Sequence, residues 1–295
     1  MIMRSNQKRF LSFLKTIQDK YRKAVRDAIE GQINYYIETK SLELPKGELT
    51  KVLLGLHFDC AYPMAVQERT NIKRAINRKA DEPFNRLEWM VNEYFRRELL
   101  SNAVAPITNT TRKQIELVMI QAAKEGWGVD ETVRALRNSD ITKNRAELIV
   151  RTESTKAANA GKMLGAADMG VAVEKQWVSA TDNRTRRIPR DQYDHLHMNG
   201  KRVPYDSGFV VPSTRSIDLM MYPGDPQGSA GNVCNCRCTV VFVPIRDAVG
   251  QVVPLRSTLQ GGGVGNVFVQ IANAAMSFVI TRDLIENLIG EIFQE

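Results

Sequence analysis

The chain has 295 residues, 43% hydrophobic and 25% charged, so it is globular in composition and long enough for one large or two smaller domains. Four cysteines are too few to staple a secreted scaffold, and "MIMRSNQKRFLSFLK" carries charge where a signal peptide needs an apolar block, so a reducing cytosol is expected. No membrane span is expected, because the best apolar run, Val267 to Ile280, falls short of ~20 residues and is broken by Gln270 and Asn273, while a net charge of +8 favours an acidic partner such as nucleic acid.

From Ser5, the expected N-cap, Phe10, Leu14, Ile17, Tyr21, Val25, Ala28 and Ile29 recur at three- and four-residue spacing and predict one apolar helix face. The other face carries Lys8, Arg9, Lys15, Lys20, Arg22, Lys23 and Arg26. Such a run is an ordinary wet surface or, through Lys15, Lys20, Arg22, Lys23 and Arg26, a phosphate-binding stripe. Pro45 and Gly47 end this helix. A second basic tract, "AVQERTNIKRAINRKADEPFNRLEWMVNEYFRRELL", predicts helix with a break at Pro83 and with Trp89, Tyr94 and Phe95 in the core. Residues 1–105 thus form a basic helical module.

After "SNAVAPITNTT" the pattern tightens. Ile115, Val118, Met119 and Ala122 make a helical stripe, "GWGVD" a turn, and Glu131 to Leu136 a further helix. A third helix, starting near Thr142 and running through "NRAELIVRTESTKAANAGKMLGAA", has small residues in its second half that allow close packing. "KQWVSATDNRTRR" predicts a strand and a turn, "HMNGKRVPYDSGFVVP" a hairpin centred on Asn199 and Gly200, and "CTVVFVP" a last strand. Helices followed by strands predict an α+β fold, with residues 106–245 as its compact domain. Residues 246–295 hold the glycine linker "LQGGGVGN" and a C-terminal amphipathic helix. Its face of Leu284, Ile285, Leu288, Ile289, Ile292 and Phe293 is expected to dock on another subunit.

The stretch "GNVCNCRCTVVFVP" places Cys234, Cys236 and Cys238 at alternate positions, hence on one side of an extended strand. With His195, and His197 nearby, they could complete a tetrahedral structural zinc site, although alternate strand positions diverge unless the chain bends. Equally, they are small reduced side chains in a core and no cofactor is bound. A Cys/His hydrolase lacks a glycine-rich nucleophile turn, and the chain has no P-loop, dinucleotide fingerprint or paired zinc-protease histidines.

Taken in order, "RAELIVRTESTKAANAG", "KQWVSATDNRTRRIPRDQYDHLHMNGKRVPYDSGF" and "YPGDPQGSAGNVCNCRC" resemble the phage Mu F-like minor head proteins of the phage head-morphogenesis family. The resemblance rests on Arg151, Thr152 and Glu153, on Trp177, Asp182, Arg184, Thr185 and Arg186, and on His195 with the turn at Gly200. It continues through Phe209, through Pro223, Gly224, Asp225 and Pro226, and through Asn235, Cys236, Arg237 and Cys238. The linker before His195 is longer than in the pattern and Cys234 is an addition. The resemblance implies a domain reminiscent of the ADP-ribosyltransferase fold, in a structural head protein assembled in the bacterial host cytoplasm. That protein would reside in the virion near the portal and act in DNA packaging or ejection. Its implied partners are the portal protein, the major capsid protein, phage genomic DNA and other copies of itself. Glu153 is expected to pair with Arg184 or Arg186 by charge-assisted hydrogen bonds. The rival reading is a nucleotide- or protein-modifying enzyme centred on His195, Glu153 and the arginines. Against it, no late pair of glutamates separated by one residue follows an Arg and a Ser-Thr-Ser strand.

Overall fold

The computed structural model describes residues 2–77, 84–214 and 217–254. The glycine linker, the C-terminal helix and the break at Pro83 lie outside the described residues.

Six helices come first: α1 (Ile2–Thr39), α2 (Gly47–Ala75), α3 (Phe84–Leu99), α4 (Ala105–Glu125), α5 (Val129–Leu136) and α6 (Ser139–Ala167). α1 buries Phe10, Leu14, Ile17, Val25, Ala28 and Ile29 of the stripe read from the sequence, leaves Tyr21 half-buried, and adds Ile33 and Tyr36. It begins at Ile2, so Ser5 lies inside the helix and is not its cap. α2 starts eighteen residues before the expected second tract, because Leu49, Leu53, Leu56, Cys60 and Met64 already repeat at helical spacing and Pro63 is accommodated inside the helix. Tyr94 and Phe95 are buried and Trp89 is half-buried, as core residues. A π-helical turn, Leu100–Val104, joins α3 to α4. At the "GWGVD" turn Gly126 adopts φ 69 and closes α4, a conformation that costs glycine little.

The axis of the molecule is the contact between α2 and α6. Gly161 and Gly165, four residues apart, face Ala61 and Ala65, also four apart. A Cβ on Gly161 would sit 2.1 Å from the Ala61 carbonyl oxygen, and one on Gly165 would sit 2.2 Å from that of Ala65. Only glycine lets these backbones meet. The apolar core runs without interruption from α1 and α2 through α6 to the strands, so the basic helical module and the α+β part share it.

The strands form a three-stranded antiparallel sheet in the order β2 (Arg202–Pro204), β1 (Val173–Val178), β5 (Thr239–Pro244). β3 (Phe209–Val211) pairs separately with β4 (Asp218–Met220), and the short helix α7 (Ala230–Val233) precedes β5. The sequence-predicted hairpin around Asn199 and Gly200 does not form. Residues 195–200 are turns, and Gly200 at φ 85 donates its N–H to the Trp177 carbonyl, which delivers β2 to β1 and leaves β3 to find β4. The fold is α+β, as expected from helices followed by strands. No helix of the described residues is long and apolar enough to cross a membrane.

Candidate functional site: the cysteine turn and the cleft beside it

α6 supplies the platform. "RTESTKAANAG" places Thr152, Thr155 and Asn159 on one helical face, and each binds backbone of the segment leading into β5. Thr152 Oγ1 accepts from Asn235 N (3.1 Å), and Thr155 Oγ1 donates to the Cys236 carbonyl (2.9 Å). Asn159 donates to the carbonyls of Pro223 (2.8 Å) and Cys238 (3.1 Å), and its oxygen accepts from Val240 N (3.2 Å) and Thr239 Oγ1 (2.9 Å). Buried peptide groups beyond the reach of a strand partner are satisfied in this way.

The cysteine stretch is a turn, not the extended ladder expected from its spacing. Cys234 closes α7, Asn235 takes φ 57, and β5 starts only at Thr239. Asparagine tolerates this left-handed conformation, and the reversal it causes separates the three cysteines. Cys236 and Cys238 are buried against His195, whose Nδ1 lies 3.6 and 3.5 Å from their sulfurs. Cys234 is half-buried and stands outside this group, its carbonyl accepting from Arg186. His197 is exposed and meets Lys201 at 2.7 Å.

The other ring nitrogen of His195, Nε2, bonds Asn232 Oδ1. Asn232 Nδ2 donates one hydrogen to Asp218 Oδ2 (3.0 Å), and the same oxygen accepts from Ser229 N (2.8 Å) and Ser229 Oγ (2.5 Å). Trp177 stands edge-on to the imidazole at 5.4 Å. The Cys238 thiol is held well below its ordinary range, first because Cys236 donates to it and then because His195 and the Trp177 indole are adjacent; as the donor, Cys236 is pushed up.

The charged residues of the expected site divide into separate networks. Asp182 binds the Arg237 guanidinium (2.6 Å) and caps its own turn by accepting from Arg184 N (2.9 Å), and the Arg237 hydrogen bond holds its pKa down at about 2. Glu153 pairs with neither Arg184 nor Arg186. It faces α2, where its carboxylate takes His57 Nε2 (2.9 Å), and it also takes Lys156 Nζ of its own helix (2.7 Å), in a buried cluster. The arginines were the expected partners because the charged "DNRTRR" turn offers groups for charge-assisted hydrogen bonds. The helical phase of α6 instead turns Glu153 towards the opposite neighbour. Arg151 pairs with Glu147.

Asp225 organises the "YPGDP" turn by accepting from Met221 N (2.6 Å) and Gln227 N (2.9 Å), and Gly224 at φ 86 lies against the backbone of Lys156. Lys175 is fully buried in β1, with Nζ 3.9 Å from Met221 Sδ and over the Phe209 ring. Burial pushes its pKa down to about 7, with Asp225 and Asp206 opposing. A folded pKa below the unfolded one means a penalty that is complete below about pH 7 and shrinks as pH rises towards 10.5. Lys175→Met should therefore raise stability at pH 6 by about 1–3 kcal/mol and flatten the rise between pH 7 and 10. Urea unfolding at several pH values checks this; a destabilised variant would show that the ammonium is needed where it is.

Of the basic residues on α1, Lys20 pairs with Asp59 (2.6 Å), Lys23 with Asp27 (2.5 Å) and Arg26 with Glu30 (3.7 Å). Arg22 pairs with Asp19 (2.9 Å), and with Lys15 it lines a cleft of about 270 Å³ together with Arg151, Arg184, Arg237 and Cys236. Gln7 of the same helix donates to the Arg237 carbonyl (2.7 Å).

Sequence reasoning missed Asn159, Asn232, Asp218, His57 and Lys175. Asn159 alone left a signal, as a polar residue set among alanines and a glycine in a helix interior. Residues 113–241, from α4 into β5, match the family model described as Phage Mu protein F like protein. No curated protein and no solved structure shows significant similarity to the chain.

Proposed function

Because the chain is phage Mu F-like over residues 113–241, we propose that it is a minor head protein of a tailed bacteriophage that joins the virion near the portal during head assembly. The family match carries this reading. The site geometry supports it: His195, Glu153 and the arginines, which an enzyme would gather round a substrate, belong to separate networks. His195 is held against two cysteines, Glu153 binds His57 and Lys156 on the far side of α6, and Arg237 is clamped by Asp182. These residues hold segments of one domain together. Portal protein, major capsid protein and further copies of the chain are its proposed partners. Mass spectrometry of purified heads should find the chain at low copy beside the portal protein. Particles that form, package DNA and contain none of it would overturn the proposal.

A second reading adds direct contact with the packaged DNA, on the strength of the cleft. Five cationic side chains converge there, and Lys15 and Arg184 have no acidic side-chain partner among the described residues. Contact with phosphates releases counterions, so affinity should fall steeply with salt. With both charges reversed in Lys15→Glu/Arg184→Glu, the slope of log K against log salt should flatten by about 2. Titration of the full chain with duplex DNA reads this, and an unchanged slope removes the cleft from consideration.

A further inference from the structure

We propose that His195, Cys236 and Cys238 are the three protein ligands of a bound zinc ion that pins the loop after β1 to the turn before β5. Among the described residues these three form the group able to hold a metal, with ligand atoms within 4.8 Å of one another and every member buried. They come from segments some forty residues apart in the chain, so a shared ion would close a long loop.

The orientation of the imidazole is determined by its outer partners. Asp218 can only accept from Asn232, so the Asn232 amide nitrogen faces the carboxylate and its oxygen faces His195. An amide oxygen accepts, which places the imidazole hydrogen on Nε2 and leaves the Nδ1 lone pair free. That lone pair is directed at the two sulfurs. A ring N–H donated to an outer acceptor, itself anchored by a carboxylate, is the arrangement that orients metal-binding histidines and makes them more basic.

The spacing fits a tetrahedral ion. With zinc about 2.0–2.1 Å from nitrogen and about 2.3 Å from sulfur, tetrahedral geometry sets the nitrogen–sulfur edges at about 3.5 Å. The two edges here are 3.6 and 3.5 Å. A thiol hydrogen bond could account for one of them, because Nδ1 has one lone pair; a shared cation accounts for both. The surroundings supply a further sign. The Trp177 indole N–H, beside His195, is fully buried and completes no hydrogen bond. A metal-bound thiolate is the anionic acceptor that it lacks. Two thiolates and one imidazole suit a soft or borderline cation such as zinc, and they leave the fourth position to a solvent molecule. Binding releases the two thiol protons, so uptake is coupled to pH.

The test uses the full chain, purified under reducing conditions and dialysed against metal-free buffer after exposure to zinc. Elemental analysis should find one zinc per chain, and cobalt in its place should give a thiolate-to-metal charge-transfer band. Cys236→Ser and Cys238→Ser should each abolish the band, whereas Cys234→Ser should retain it. Asn232→Ala leaves all three ligands in place and should weaken zinc binding about 10–100-fold. Because the cysteine variants could misfold, removal of zinc from the unaltered chain by a chelator is the independent reading, and it should lower the melting temperature reversibly. A folded, reduced chain with four titratable thiols, no zinc and no cobalt band would overturn the proposal, as would a disulfide between Cys236 and Cys238.

Discussion

Gly161→Ala/Gly165→Ala should lose about 3–5 kcal/mol of stability, although each exchange taken alone favours the helix by up to about 1 kcal/mol. Each new methyl would begin 2.1 or 2.2 Å from a backbone carbonyl oxygen of α2, more than an ångström inside ordinary contact. The obstacle is main chain in mid-helix, so no rotamer change can relieve it. α2 and α6 must separate along the seam where Leu56, Cys60 and Met163 are buried, and overpacking at two adjacent points of one seam is not independent. Gly31→Ala is the control. Gly31 lies in α1, and a Cβ added there would meet nothing within 4 Å, so the same exchange should be neutral or stabilising by up to about 1 kcal/mol. Thermal and urea unfolding by circular dichroism compare the two. If the double variant is as stable as the unaltered chain, the helices can part without loss and the close approach does not matter to the fold.

Glu153→Ala should be of similar size. The carboxylate joins Lys156 and His57, all three buried, and Lys156 reaches on to the Asn102 carbonyl (3.2 Å). Burial would push the Glu153 pKa up, but Lys156 and His57 outweigh it and hold it at about 2, while burial pushes that of His57 down. The cluster is therefore an anion, a cation and a neutral imidazole donating through Nε2. Deleting the anion leaves an uncompensated buried ammonium and an imidazole N–H without its acceptor, a change that costs about 3–5 kcal/mol. Glu153→Ala/Lys156→Met, which removes both charges, should recover much of the loss. The pH dependence follows from the same cluster. A carboxylate with a folded pKa of about 2 against an unfolded value of 4.5 contributes stability that is complete above 4.5 and is lost as pH falls towards 2. Glu153→Gln should therefore weaken the acid limb of the stability profile between pH 4.5 and 2. An unchanged limb would mean that this carboxylate is not the group responsible.

Much of the helical half was readable because helix periodicity is local. The stripe from Phe10 to Ile29 and the small residues of α6 state, within a few turns of chain, which side must be covered and how closely. The early start of α2 was equally local, since Leu49, Leu53, Leu56, Cys60 and Met64 already repeat at helical spacing in a helix that accommodates Pro63.

By itself the sequence determined that helices come first and strands after, that α6 would pack closely, and that the pieces from Arg151 to Cys238 belong to one Mu F-like pattern. Only the tertiary structure decided the partners. Glu153 was free to choose an arginine or a lysine until the phase of α6 against α2 placed it beside His57. Residues after Asn199 were free to close a hairpin until β1 took β2. The three cysteines were equivalent by spacing until a left-handed Asn235, held by Thr152, turned two of them onto His195 and left the third aside. Periodicity records which face of an element avoids water, but a polar side chain is satisfied by a single directed contact. Which group supplies that contact depends on segments some forty to a hundred residues away in the chain, and no local pattern specifies them.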